Sequence, residues 1–339
     1  MKHSSRTLLK LCIVVAGAIF VCLAFVDWRS GEPRYQGKRL STWMNDLTAE
    51  PQNLSESEAL AVEAQRREML TNVVRAIGSD GLPFYLDWIQ SAPQKPSPYE
   101  RLEDWLTQKT RNRIRLPQRQ YRAVQAFTAI QILGPSAKSA VSPLERLLNN
   151  ESSCDIAARC LAAIGPDSVP ALSNALTSTN DRVRNVAARA LGDLGVAAKP
   201  SRPELMIVIK TEKASSSPGL STTDLALRAL AEIDSTADEL LALFQAQLFA
   251  TNASAGAAYG LVRLGATGTP ILNQAVTNED AKIRASAEAA LDLLTYLKTK
   301  DAATVIPFDH FNVRFNNRLV HAVLSKGSAP HDGSQNPSQ

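Results

Sequence analysis

The chain has 339 residues, 45 % of them hydrophobic but only 6 % aromatic, and a formal net charge of +4. Lys2, Arg6 and Lys10 supply three of those charges ahead of the first acid, so the body is close to neutral and lacks the field of a nucleic-acid binder. Abundant alanine and leucine with few aromatics suit tightly stacked helices and argue against a sheet.

The chain begins with a basic segment followed by an unbroken apolar run of 16 residues at 11–26, which extends to 21 if Leu8 and Trp28 are its ends. That is close to the ~20 residues needed to cross a bilayer, with Lys10 and Trp28 at interfacial positions. Residues 1–28 are therefore expected to form a transmembrane helix, an uncleaved anchor. A cleaved signal is the alternative, with small residues at Cys22 and Ala24, although Phe25 and Val26 continue the run. A short basic terminus on the cytoplasmic side puts the body outside, so the expected localisation is membrane-anchored with a periplasmic or otherwise extracytoplasmic body.

Residues 29–54 read as a polar linker containing Gly31, Pro33 and Gly37, then a short helix capped by Ser41 with Leu40, Trp43 and Leu47 on one side. That helix is expected to cover the first repeat of the chain. Residues 55–118 hold this divergent first repeat and an insertion. In the repeat Leu70, Val73, Val74 and Ile77 form an apolar stripe, Gly78 closes it, and Pro83 opens the next helix. The insertion leads into a basic stretch in which Lys109, Arg111, Arg113, Arg115, Arg119 and Arg122 occur without one Asp or Glu. Arginine presents a rigid fork of donors suited to carboxylate or phosphate, so Arg111, Arg113, Arg115, Arg119 and Arg122 are the candidate residues for an anionic partner. The alternative is a solvated loop whose arginines pair with Glu100, Glu103, Asp104 or Glu145.

Residues 119–300 carry the dominant pattern. Ala126, Ala157, Ala187, Ala226, Ala257 and Ala287 follow one another at steps of 31, 30, 39, 31 and 30 residues. Each is followed three residues later by a small residue, four later by Leu or Ile, and seven later by Leu or Ile. These spacings share one face of a helix, so each unit contributes a helix with a narrow apolar stripe. Gly134, Gly165, Gly195 and Gly265 come next, as helix ends require, and Pro143, Pro170, Pro203 and Pro270 suit the first turn of a second helix. The long step contains the Ser/Gly/Pro-rich loop at 210–222. A period in this range marks stacked repeats.

The stretches DRVRNVAARALGDLG (181–195) and AIQILGPSAKSAVSPLERLL (129–148) resemble HEAT repeats, in particular the short bacterial variety related to phycobilin-lyase-type repeats. The resemblance extends over residues 119–298 and more weakly over 55–91. It implies an all-α fold, an α-solenoid of about six HEAT-like helix-turn-helix repeats, and it implies little about function, because such arrays serve as scaffolds, receptors and occasional enzymes.

Asp181, Arg182 and Arg184, echoed by Asp280, Lys282 and Arg284, lie just ahead of the stripe and read as helix-start residues that complement the dipole. Asp193, Glu232 and Asp292 stand just ahead of the final stripe residue, where capping or ion pairing is expected. Residues 301–324, with Phe308, Phe311 and Phe315, are expected to be a C-terminal cover, and 325–339 a disordered tail. The four histidines lie outside the repeats, and no HExxH, phosphate-binding loop or GxSxG is present. Cys154 and Cys160 lie about 240 degrees apart around one ideal helix, so no disulfide between them is expected.

The expected function is a membrane-tethered, non-enzymatic scaffold for a protein partner, without cofactor, metal or small-molecule substrate. A nucleic-acid-binding HEAT protein of glycosylase-like architecture is one alternative, and it rests on the arginine stretch alone. A lyase-like or chaperone-like accessory protein is the other.

Overall fold

Small and branched apolar residues at helical spacing dominate the chain, and the computed structural model describes residues 31–48, 55–91, 121–211, 220–234, 238–250 and 254–298, nearly all of them α-helix and short 3-10 turns. No described helix is long and apolar enough to cross a membrane. The anchor expected at 1–28 lies outside the described residues, as do positions 111–119, residues 212–219 of the expected loop, the C-terminal cover at 301–324 and the tail. The chain divides into two units, one within 1–88 and 97–133, the other within 89–96 and 134–339.

The first unit begins where a linker is expected, but the polar residues fold. Strands β1 (Arg34–Tyr35) and β2 (Lys38–Arg39) pair antiparallel across Gln36 and Gly37, whose φ values of 48° and 76° fit the tight turn that a two-residue hairpin favours. Helix α1 (Leu40–Thr48) follows at once. Its N-terminus is capped by the Glu32 carboxylate, which accepts the Ser41 backbone N–H, so Ser41 receives a cap rather than supplying one. Leu40 and Met44 are the buried residues of α1, one turn apart. Trp43, expected on the same side, instead clamps the hairpin: its Nε1–H donates to the Tyr35 carbonyl at 2.9 Å and its ring meets the Tyr35 ring edge-on at 6.0 Å.

Helix α2 (Glu56–Ile77) buries Leu70, Val73 and Val74 and stops at Gly78. Helix α3 (Leu82–Gln90) carries Pro83 in its first turn, where the missing N–H is harmless. Helix α4 (Arg122–Leu133) packs on α2 and buries Ala126, Ala129, Ile130 and Leu133. Gln125, also buried, donates from Nε2 to Asn45 Oδ1 at 3.2 Å and Thr48 Oγ1 at 2.8 Å, which ties α4 to α1.

In the second unit, helices alternate between two layers. One layer holds α6 (Cys154–Ile164), α8 (Asp181–Leu194), α10 (Thr222–Ile233), α12 (Ala255–Arg263) and α14 (Ala281–Lys298), and each packs on the next. The other holds α5 (Val141–Leu148), α7 (Val169–Ala175), α9 (Arg202–Thr211), α11 (Asp238–Leu248) and α13 (Thr269–Ala275), and each of these packs on the first-layer helix that comes after it in sequence. The alanine column is buried throughout, with Ala157, Ala187, Ala226, Ala257 and Ala287 fully inaccessible. This is nearest-neighbour stacking, in which each repeat buries its stripe against the adjoining ones.

Gly165 ends α6 at φ 101° and ψ −150°, a backbone region that a side chain all but forbids. Gly134 and Gly195 also have positive φ, whereas α10 closes without glycine, at Asp234 with φ −153°. That unmarked ending, and the absence of a proline from α11, hide one helical pair from the sequence pattern.

A carboxylate joins α10 to α12 at their N-termini. Asp224 Oδ2 accepts from the Ser221 N–H at 3.0 Å and the Ser221 hydroxyl at 2.7 Å, completing a capping box. Its Oδ1 accepts from the Ser254 hydroxyl at 2.5 Å and the Gly256 N–H at 3.0 Å, both at the start of α12. Asp224→Ala removes all four acceptor contacts and is expected to destabilise the protein by about 2 kcal/mol, read as a lower urea midpoint with an unchanged slope. Asp224→Asn keeps part of the cap and should lose less.

Candidate functional site

On three successive helices of the first layer, the positions two and six residues beyond the buried alanine hold charged or hydroxyl side chains, exposed at Arg189 and Asp193, half-buried at Arg228, Glu232 and Arg263, and buried at Tyr259. Arg228 on α10 reaches back to α8, where its Nη2 donates to Asp193 Oδ1 at 2.6 Å and its Nη1 to the Arg189 carbonyl at 3.5 Å. One repeat later the same position is Tyr259, whose hydroxyl donates to Glu232 on α10. Arg263 Nη2 pairs with the other oxygen of that carboxylate at 3.0 Å. Asp193, Arg228, Glu232, Tyr259 and Arg263 thus form a ladder across α8, α10 and α12. At the starts of their helices, Arg182 on α8 pairs with Asp155 on α6.

The electrostatics follow from partial burial. The Tyr259 ring is fully buried, and burial first and the Glu232 hydrogen bond second push its hydroxyl well above the ordinary tyrosine range, with Arg263 and Arg228 opposing. The phenol is therefore a neutral donor to a carboxylate. Glu232 and Arg263 are less than one third exposed, whereas Asp193 is 42 % exposed. The ladder ties each helix to the one before it and so holds the register between them.

Other pairs bind repeat to repeat. Lys138 reaches Asp167 at 2.6 Å, Lys199 reaches Asp234 at 3.7 Å, Arg202 reaches Glu239 at 2.7 Å, and Asn174 donates to Glu145 at 3.2 Å.

The helix-start residues have structural roles. Arg184 donates to the Ser178 carbonyl and Arg284 to the Asn278 carbonyl, each tying the start of its helix to the preceding turn. Asn180 caps α8 through the Arg182 N–H, and Asp280 caps α14 through the Lys282 and Ile283 N–H groups. The equivalent of Asp280 is therefore Asn180, one residue before the Asp181 that charge similarity suggests.

Of the expected anionic-partner residues, Arg111, Arg113, Arg115 and Arg119 lie outside the described residues. Arg122 is described, at the start of α4, and its guanidinium stands 5.6 Å from the centre of the buried Trp88 ring. That is a cation–π distance, and it gives this arginine a packing role.

The two described cysteines are free and buried. Burial pushes the Cys160 thiol up to about 12. Cys154 is also raised, by burial and then by the neighbouring Asp155. Both are protonated at neutral pH and neither is a ready nucleophile. In the folded protein a maleimide at pH 8 is expected to leave Cys154 and Cys160 unmodified, and to modify both in urea, as peptide mapping would show. Among the described residues no group of three or more His, Cys, Asp and Glu side chains is placed to hold a metal.

Sequence reasoning named Asp193 and Glu232 but missed their partners Arg228, Tyr259 and Arg263. The signal was present, because Arg159, Arg189 and Arg228 occupy one position of three consecutive repeats. Asp292 falls five rather than six residues after its alanine and is out of that column.

Among solved structures, the chain is similar to the complex of CpcE and CpcF of phycocyanin lyase from Nostoc sp. PCC7120, with 21 % identity over 62 % of this chain and 85 % of that one and a TM-score of 0.36. It is also similar to two engineered proteins, at 23 % identity over 52 % of this chain and 91 % of the other with a TM-score of 0.33, and at 19 % over 86 % and 95 % with a TM-score of 0.31. No family model and no curated protein matches it. At such TM-scores the fold assignment rests on the chain's own helices and their stacking. The described chain is an all-α helical repeat. Within that helical repeat the ladder joins charged groups of three successive helices in ion pairs and hydrogen bonds.

Proposed function

We propose that this helical-repeat chain is a non-catalytic docking scaffold, held at a membrane by its N-terminal segment, with the repeats on the extracytoplasmic side. The observation that supports the docking role is the ladder. Side chains of adjacent repeats bind one another across α6, α8, α10 and α12, which fixes the spacing of the exposed positions between them. A surface whose spacing is fixed before contact loses little conformational entropy on binding, and that is the advantage of a repeat array as a scaffold.

The tether rests on the apolar run at 11–26 and the basic residues before it. A reporter fused after Ser325, combined with membrane fractionation and the mass of the mature N-terminus, tests it. An intact chain in the membrane fraction with the reporter outside is the expected result. A cytoplasmic reporter would contradict the proposed side and redirect attention to the basic stretch as a site for nucleic acid or inner-leaflet lipid.

A further inference from the structure

Helix α14 is buried on a side where no described element lies. Contacts between successive first-layer helices show which positions face the following helix. Asp224, two residues before the buried alanine of α10, bonds to the start of α12, and Glu232, six beyond that alanine, meets Tyr259 of α12. A Cβ at Gly192, five beyond the alanine of α8, would stand 3.3 Å from the Ala229 Cα of α10. The equivalents of these three positions on α14 are Ala285, Leu293 and Asp292. Among the described elements α14 packs on α12 and α13, and no helix follows it. Yet Ala285 is 2 % exposed and Leu293 is 1 % exposed. Asp193, the equivalent of Leu293 on α8, is exposed even with α10 beside it. The chemistry of the column changes as well: Arg189 and Asp193 on α8, and Arg228 and Glu232 on α10, give way to Ala289 and Leu293 on α14.

We propose that residues 305–324 of this chain cover that side, docked along α14 in the place of a following first-layer helix, and that they close the array against a second copy. The inference goes beyond the docking role and depends neither on it nor on the membrane tether. Residues 299–339 belong to the same unit as α14, whereas 97–120 belong to the first unit. The joint at 299–304 is of the length that usually links packed helices, about two to eight residues. Phe308, Phe311, Phe315, Leu319 and Val323 recur at the spacing of one helical face. As a helix, 305–324 would be about 30 Å long, against about 27 Å for the 18 residues of α14. The signs of charge also match. Arg314 and Arg318 stand in a stretch, 310–326, without Asp or Glu, and the side to be covered carries Glu288 and Asp292, half-buried and one turn apart. Left bare, Ala285, Ala289 and Leu293 would present an apolar end to water, the situation that terminal covers of repeat arrays prevent.

Two measurements on the full chain in detergent test this. Hydrogen exchange compares it with the Phe311→Asp/Phe315→Asp variant, in which the amides of α14 are expected to exchange about tenfold faster or more while those of α6 and α8 keep their rates. The second replaces Phe311 by the photo-reactive benzoylphenylalanine, which keeps an aromatic side chain and decides the matter even if the double variant loses its fold throughout. Peptide mapping is expected to place the adduct within 281–298 of the same chain, at monomer mass. Unchanged α14 protection in a folded double variant would overturn the proposal, as would adducts confined to other helices. Adducts of dimer mass, or α14 protection that falls when the full chain is diluted, would also overturn it and make a second copy the cover.

Discussion

Gly256→Val is expected to lower the unfolding free energy by about 3 kcal/mol or more, at the upper end of what overpacking usually costs. The reason is a backbone approach. A Cβ at Gly256 would lie 2.1 Å from the carbonyl oxygen of Asp224 and 2.7 Å from its Cα, and the colliding atoms are main chain of α10, which cannot rotate away. Relief requires the start of α12 to move off α10, and the same movement breaks the hydrogen bond from the Gly256 N–H to the Asp224 carboxylate. The two sites therefore couple: adding Asp224→Ala to Gly256→Val should cost less than the sum of the single changes. Because the repeats interact mainly with their neighbours, the damage should be local. Hydrogen exchange is expected to show α12 and α14 losing protection while α6 and α8 keep most of theirs. Uniform loss across the second unit would mean that it unfolds as one cooperative block.

Phe244→Ala is expected to cost about 4 kcal/mol, as for other large aromatic truncations in a core. Phe244 is fully buried on α11, and its ring occupies the space that a side chain at position 260 would need, with a Cβ there falling 2.6 Å from the ring. Gly260 is thus the other half of a matched pair. Gly260→Ala alone should destabilise by about 1–3 kcal/mol, because a ring enclosed on all sides has little room to yield. In the Phe244→Ala background the added methyl enters the cavity, so the double variant should be more stable than Phe244→Ala. Chemical denaturation of the four proteins measures this directly, and a double variant less stable than Phe244→Ala would contradict the pairing.

The sequence displays the layer that repeats and conceals what varies from repeat to repeat. The alanine column, the branched residues after it, the glycines at Gly134, Gly165, Gly195 and Gly265 and the prolines opening α3, α7, α9 and α13 all lie where periodicity puts them, because each obeys a local rule of helix geometry or termination. Helix α11 is different. It comes after Asp234 rather than glycine and opens without proline, so local rules do not mark it, and its Phe244 is explained only by Gly260 in the next helix. The small-residue column likewise mixes two causes that sequence cannot separate. Ala229 is small because helices stack there, whereas Gly260 is small because a ring takes its space. At the other end of the chain, composition suggests a linker where a hairpin forms, because Trp43 and Glu32 organise residues 32–41 from outside the strands. The candidate surface was half legible: the acids Asp193 and Glu232 stand out, but their partners come from the following repeat, about thirty residues on, and only the stacking of helices in a repeat array brings them together.

A photo-crosslinking residue scanned over the exposed surface of the second unit in living cells tests the scaffold account most directly. Positions Ala162 and Arg182 lie on the outer face of α6 and α8, and Ile207, 59 % exposed, lies on α9 in the other layer. The account predicts one discrete protein adduct from Ala162 and Arg182 and none from Ile207. Adducts of equal yield from all three positions, or none from either outer-face position in a chain whose fold is intact, would contradict it.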